Sequence, residues 1–205
     1  MSTMTAQESH RNQRRFAMTI TSPETSQQFI SLSGPEVPRQ DELFTPGALE
    51  FLAALHQEFS VRLAALPDQQ GGRTVSRDWA LLVDQHLSEP PSSFISPQRL
   101  TRAQDKVLCH GAGISAGLVD FGLHIFRNAQ RLLDDGRAPF VSLPGAETEE
   151  ELQIWQELFI RAEQLLNLPD GTIRAIHLRP GEPDQDDDED GQETTAGVLM
   201  PRISG

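Results

Sequence analysis

Between Ser115 and Leu178 the sequence alternates two periodicities, and this alternation limits the fold more than any other feature of the chain. Leu118, Phe121, Ile125, Ala129 and Leu132 recur at helical spacing behind Ser115, a natural N-cap, and Gly136 closes the run. Pro139-Phe140-Val141-Ser142-Leu143-Pro144 is short, apolar and bounded by proline, and it reads as a strand. Residues 147–167 read as a second helix. Glu147, Glu149, Glu150 and Glu151 load its positive end, and Leu152, Trp155, Phe159, Ala162 and Leu166 form its apolar stripe. Pro169-Asp170-Gly171 turns the chain, and 172–178 (TIRAIHL) reads as a further strand. Helix, strand, helix, strand with short links is the grammar of parallel βα units. The expected fold is therefore α/β, from a doubly wound sheet or a βα barrel.

The rest of the chain is organised less sharply. Residues 1–33 are polar and lack sustained periodicity, and they read as a mostly disordered leader. Arg11, Arg14 and Arg15 are not followed by an apolar core, so the leader is not a secretory signal. Its Arg- and Ser-bearing composition also suits an organelle transit peptide, but a disordered leader on a cytoplasmic protein is the simpler expectation. Residues 34–105 read as an N-terminal helical segment with an irregular linker. Thr45 caps a helix that has Pro46 in its first turn and is stopped by Pro67. Gly71-Gly72 and Pro90-Pro91 break the pattern beyond that helix, and Trp79 to Val83 is either a short helix or an ordered loop packed under the core. Residues 106–178 form the βα segment, and 179–205 an acidic disordered tail in which Val198-Leu199-Met200 is a small apolar island.

Charge and cysteine content remove several classes of function. The net charge is −13, yet eight acids and no base fall within 182–193, so the acidity belongs to the tail. Such a field disfavours nucleic acid and anionic membrane. No apolar run approaches the ~20 residues of a membrane span. Cys109 is the only cysteine, which excludes an internal disulfide and a cysteine-based zinc cluster.

Two motifs invite a ligand and fall short of one. Cys109-His110-Gly111-Ala112-Gly113-Ile114-Ser115-Ala116-Gly117 resembles a phosphate-binding turn, but Ala116 occupies the third glycine position and Gly117 comes one residue late. Asp134-Asp135 stands near the distance of the ribose-binding acid, but at a helix end. The glycines are expected to serve a tight strand-to-helix turn. Asp186, Asp188, Asp190 and Gly191 match the first half of a calcium loop, but the twelfth position is Gly197 and no helix pattern flanks it. The six histidines are scattered without an i, i+4 pair, and no Gly-x-Ser-x-Gly elbow is present.

Two stretches together resemble the malate synthase family. The first is Ser33-Gly34-Pro35-Glu36 with the helical segment that begins at Asp41, which is similar to that family's N-terminal helical region. The second, from Gly111 to Leu178, resembles part of its TIM barrel through Leu118, Asp120, Phe121, Phe126, Asn128, Leu143, Pro144, Trp155, Pro169, Gly171, Thr172, Ile173 and Ala175. The resemblance implies a partial TIM-barrel-derived βα unit. It also implies the family reaction, condensation of acetyl-CoA with glyoxylate in the glyoxylate bypass, which needs magnesium on carboxylates, an Asp base and an enolate-stabilising Arg. The matching positions depart from that set. Pro180 stands where the resemblance places a metal-binding Glu, Gly145 replaces a usual Lys, and Arg99 lies near the expected arginine but out of register. The second metal carboxylate and the base belong to a part of the family's sequence beyond this chain. No catalytic, cofactor-binding or metal-binding residue is assigned. The expected role is that of a pseudoenzyme, a non-catalytic interaction or regulatory homologue. A protein partner or full-length relative would dock on an open sheet edge, with neither nucleic acid nor membrane involved. The alternative is a subunit or fragment active only with a complementary chain.

Overall fold

The computed structural model describes residues 29–67, 74, 76–143, 148–176 and 198–199. Twelve elements follow one another among these: β1 (Ile30–Leu32), α1 (Gln40–Leu43), α2 (Pro46–Ala65), α3 (Trp79–His86), β2 (Phe94–Ile95), β3 (Ala103–Cys109), β4 (Ala112–Ser115), α4 (Ala116–Asp134), β5 (Phe140–Ser142), α5 (Glu149–Leu166), β6 (Arg174–Ile176) and β7 (Val198–Leu199).

The βα grammar is realised. β2, β5 and β6 are parallel neighbours, with Phe94 beside Phe140 beside Arg174 in register. α5 crosses between β5 and β6, and α4 follows an inserted hairpin between β2 and β5. The chain thus forms a mixed α/β fold with a partial parallel sheet. Alternation along the strands gives the sheet two unlike faces. Val141 is fully buried, and Ile95 and Ala175 of the same row pack on the core. Phe94 and Phe140 lie on the other row, and Phe94 is 45% exposed.

Each helix starts where its capping chemistry dictates. Thr45, Asp78 and Ser115 accept backbone N–H groups at the heads of α2, α3 and α4, and Pro46 opens α2 as expected. At α5 Thr148 and Glu151 cap one another reciprocally, and Asn167 closes the helix in the left-handed region with φ 53°. The Trp79–Val83 cluster resolves as a helix: Trp79 stacks on Phe44 at 5.0 Å and donates Nε1–H to Gln40 Oε1 at 2.6 Å. α2 lies across α4 and α5, and its residues Leu52 and Leu55 press on Gly122 of α4. Phe121, Trp155 and Phe159 form an aromatic cluster between α4 and α5.

The glycine-rich stretch is a β-hairpin and not a strand-to-helix turn, which corrects the expectation from sequence. β3 is seven residues long and pairs antiparallel with β4 through a two-residue turn, His110-Gly111, at φ 51° and 83°. Positive φ at both central residues suits the twist of a tight hairpin. Gly113 is needed for a different reason: a Cβ there would lie 2.4 Å from the Gln104 carbonyl oxygen. β1 pairs antiparallel with the other side of β3, so a segment expected to be largely leader contributes one strand with buried Ile30. β7 likewise comes from the segment expected as tail and pairs antiparallel with β6. The strand predicted over 172–178 is observed as Arg174–Ile176, with 177–178 outside the described residues.

Candidate functional site

Parallel βα units place chemistry at the C-terminal ends of their strands, where the strand-to-helix loops converge. Here that rim is formed by Ser96 after β2, Ser142 and Leu143 at the end of β5, and Ile176 at the end of β6. Ser142 is buried and donates its hydroxyl to Ser96 Oγ at 2.9 Å, which ties the two strand ends together.

The loop that leaves β2 is held from the head of α4. Asp120 Oδ2 accepts the Gln98 backbone N–H at 3.0 Å, and Oδ1 accepts from Arg77. Gly117 lies against the same loop, since a Cβ there would meet the Gln98 carbonyl oxygen at 2.4 Å. A carboxylate 2% exposed is tolerable because these donors and the Arg77 guanidinium replace its water. Lys106 Nζ, in turn, donates to the Arg77 carbonyl at 2.7 Å.

One and two turns along α4 the same face carries His124 and Asn128, both buried. Their side chains meet at 3.3 Å between His124 Nδ1 and Asn128 Nδ2, and His124 Nε2 has no partner. His86 of α3 brings Nε2 to 4.0 Å from Asp120 Oδ1. Burial, with His86 nearby as a smaller cause, lowers the His124 pKa to about 4. The imidazole is neutral at physiological pH. In the sequence this helix shows its apolar stripe, and its histidine reads as one of six scattered ones. The signal that marks the site is subtler: polar residues at i, i+4 and i+8, Asp120, His124 and Asn128, which share one face of the helix with its buried apolar residues.

Arg99 sits in the loop pinned by Asp120 and Gly117, beside the first turn of α4. Pro144, Gly145, Pro180 and the acids of 182–193 lie outside the described residues, as do Gly197, His10 and His177. Glu163 is a second buried carboxylate; it accepts the backbone N–H of Gly171 at 3.0 Å and of Ile173 at 2.7 Å, fixing the turn into β6.

A groove of about 600 Å³ opens at the other end of the strands, among Ser93, Arg137, Phe140, Asp170 and Arg174. It faces the strands' N-terminal ends, which in barrels serve stability. Among the described residues no cluster of three or more His, Cys, Asp or Glu side chains is arranged to hold a metal. Among the described residues, the hydroxyls at the rim, Ser96 and Ser142, are bonded to one another and do not fit magnesium, since a hard cation takes carboxylates. No helix among the described residues is long and apolar enough to cross a membrane.

Comparison with known proteins places the same stretch. Residues 94–179 match the family described as malate synthase, TIM barrel domain. The chain is 36% identical over 102 residues to a malate synthase of Streptomyces arenae, covering 50% of this chain and 15% of that protein. It is 35% identical over 114 residues to that of Streptomyces clavuligerus, covering 54% and 19%. Against malate synthase A of Escherichia coli K12 the identity is 42% over 93 residues, 45% of this chain and 17% of the relative. The matched stretch thus spans less than a fifth of each of these relatives.

Proposed function

We propose, from the match of residues 94–179 to the malate synthase barrel domain, that this chain is a relative of that family and uses the scaffold for interaction and not for unaided catalysis. The observation that carries this reading is the chemistry at the strand ends. Ser96 and Ser142 occupy the rim and are hydrogen-bonded to each other. Condensing acetyl-CoA with glyoxylate, the reaction the resemblance implies, develops an enolate and binds a dicarbonyl on a metal. Neutral hydroxyls satisfied by one another supply neither the cation nor the carboxylates for that. In the sequence Pro180, which has no ligating side chain, stands where the resemblance puts a metal-binding Glu.

What the scaffold retains suits a surface for another protein. The outward row of the parallel sheet presents Phe94 and Phe140 on the side away from α4 and α5. The outer edge of β2 has no strand beside it among the described residues. A purely parallel sheet is ordinarily covered on both faces, so this side suits a protein partner or a full-length relative. The same bare edge also supports the second reading, a subunit completed by a complementary chain.

One assay separates these. Purified full-length protein is incubated with acetyl-CoA, glyoxylate and magnesium, and release of CoA is followed. The expected result is no glyoxylate-dependent release above the uncatalysed rate. Turnover abolished by EDTA would overturn the non-catalytic reading. Turnover appearing only when a relative carrying the rest of the barrel is added would establish the second.

A further inference from the structure

A second groove, distant in chain and purpose from the rim, lies between β1 and the corner of α1 and α2. It encloses about 600 Å³ over a floor that includes Ile30, Leu32, Val37 and Phe44, and Glu36 and Asp41 stand among its lining residues. Both carboxylates are exposed, and neither has an ion-pair partner among the described residues. β1 pairs with β3 on one side only, so its other edge is free among the described residues. The site therefore offers three things together: an apolar floor, an unpaired strand edge and uncompensated negative charge.

A segment of complementary chemistry stands just upstream in the chain. Arg14-Arg15 is followed by Phe16-Ala17-Met18-Thr19-Ile20, in which Phe16, Met18 and Ile20 alternate with smaller residues at strand spacing. We propose that residues 14–20 of this chain occupy the groove as an added strand on β1, with Arg14 and Arg15 against Glu36 and Asp41. The connection, residues 21–29, is long enough to reverse direction, at about 3.3 Å per extended residue. An antiparallel return that sets Ile20 beside Ile30 puts Met18 beside Leu32, the last residue of β1, and carries 14–16 on past the strand's end. Residues directly opposite in such a pair share a face. Ile20 and Met18 then fall on the side of Ile30 and Leu32, and the arginines follow beyond the strand's end, where Glu36 and Asp41 line the groove. β-Strand addition supplies main-chain hydrogen bonds, and the alternate side chains supply specificity.

Hydrogen exchange on the full chain tests this. The amides of 16–20 are expected to exchange at least ~10-fold more slowly than free peptide, independently of protein concentration. Arg14→Glu with Arg15→Glu is expected to abolish most of that protection, and adding Glu36→Arg with Asp41→Arg to restore it. The leader changes touch no residue of the hydrophobic core, so they leave it to fold as before. Exchange at the free-peptide rate in the unaltered chain would overturn the proposal. So would protection that rises with concentration, which would place a second copy in the groove, or protection unaffected by the charge reversal.

Discussion

Two buried ionisable side chains are held in opposite ways, and each way has a measurable consequence. Glu163 is 3% exposed, and its two oxygens each accept a backbone N–H, from Gly171 and Ile173. Glu163→Gln keeps the shape but turns an NH₂ group toward one of those donors. A buried donor left unmatched costs about 1–3 kcal/mol. The variant is expected to lose that much unfolding free energy, seen as a lower urea midpoint with an unchanged m-value. An unchanged midpoint would mean that the turn into β6 is held without the carboxylate. His124 is held neutral, with its pKa lowered to about 4 by burial and then by His86. In the unfolded chain the imidazole titrates near 6.5. Above that pH both states are neutral and stability is intact. As the pH falls from 6.5 toward 4 the unfolded chain takes up a proton that the folded one refuses, so stability is lost. The full loss is about 3 kcal/mol. His124→Gln is expected to flatten this acid limb in melting temperatures taken between pH 7.5 and 4. A variant whose melting temperature falls as steeply as the parent's would assign the limb to other groups.

At the scale of elements, the same residue often carries a pattern visible in sequence and a contact that is not. The helices α2, α4 and α5 are legible because caps and apolar stripes are local: Thr45 with Pro46, Ser115, and the acidic first turn of α5 each name a helix start without any partner. β2 is not legible, since two residues bracketed by prolines carry no periodicity, and it becomes a strand only because β5 runs beside it. The hairpin misleads because Gly111 and Gly113 suit a helix-leading loop as well as a tight reversal, and the choice is made by the pairing of β3 with β4. At the candidate rim only the departures from the family pattern, Gly145 and Pro180, can be read from the sequence. The Ser96–Ser142 bond and the hold of Asp120 on the β2 loop cannot, because they join residues 46 and 22 positions apart. Gly122 is a further case: nothing in its surroundings marks it, yet a Cβ there would lie 2.5 Å from Leu52 Cδ2 across the α2–α4 crossing. Gly122→Ala crowds that contact, and overpacking costs about 1–3 kcal/mol, against a helix-propensity gain of about 1 kcal/mol. Leu52→Ala alone costs about 2–5 kcal/mol by leaving a cavity. The two together are expected to destabilise by less than the sum, with a coupling of about 0.5–3 kcal/mol in a double-mutant cycle. Additive effects would mean that the two helices do not meet at this pair.

The whole molecule has to manage a sheet that a complete barrel would close. Sheet edges left unpaired template association between chains, and natural proteins shield them with proline, short strands or cover. Both kinds of device are present here, one at each edge. β2 is two residues long, with Pro90 and Pro91 before it and Pro97 after it, so few N–H groups are on offer. The β6 edge, where a barrel would add its next parallel strand, is taken by β7 in the antiparallel sense, with Ala175 beside Leu199 and Ile176 beside Val198. An antiparallel neighbour returning from the same chain closes this edge to a parallel strand from elsewhere. Among the described residues, the parallel strand of this sheet left with a bare edge is therefore β2, beside the outward row that begins with Phe94. If β7 is the cover, removing its capacity to pair must expose β6. Val198→Pro with Leu199→Pro deletes two backbone donors while leaving the segment in place. The doubly substituted chain is expected to shift toward larger species on size exclusion, increasingly so with concentration, while its helical circular dichroism stays near that of the parent. Elution at the parent's volume across a hundredfold range of concentration would show that the β6 edge is protected by something other than β7.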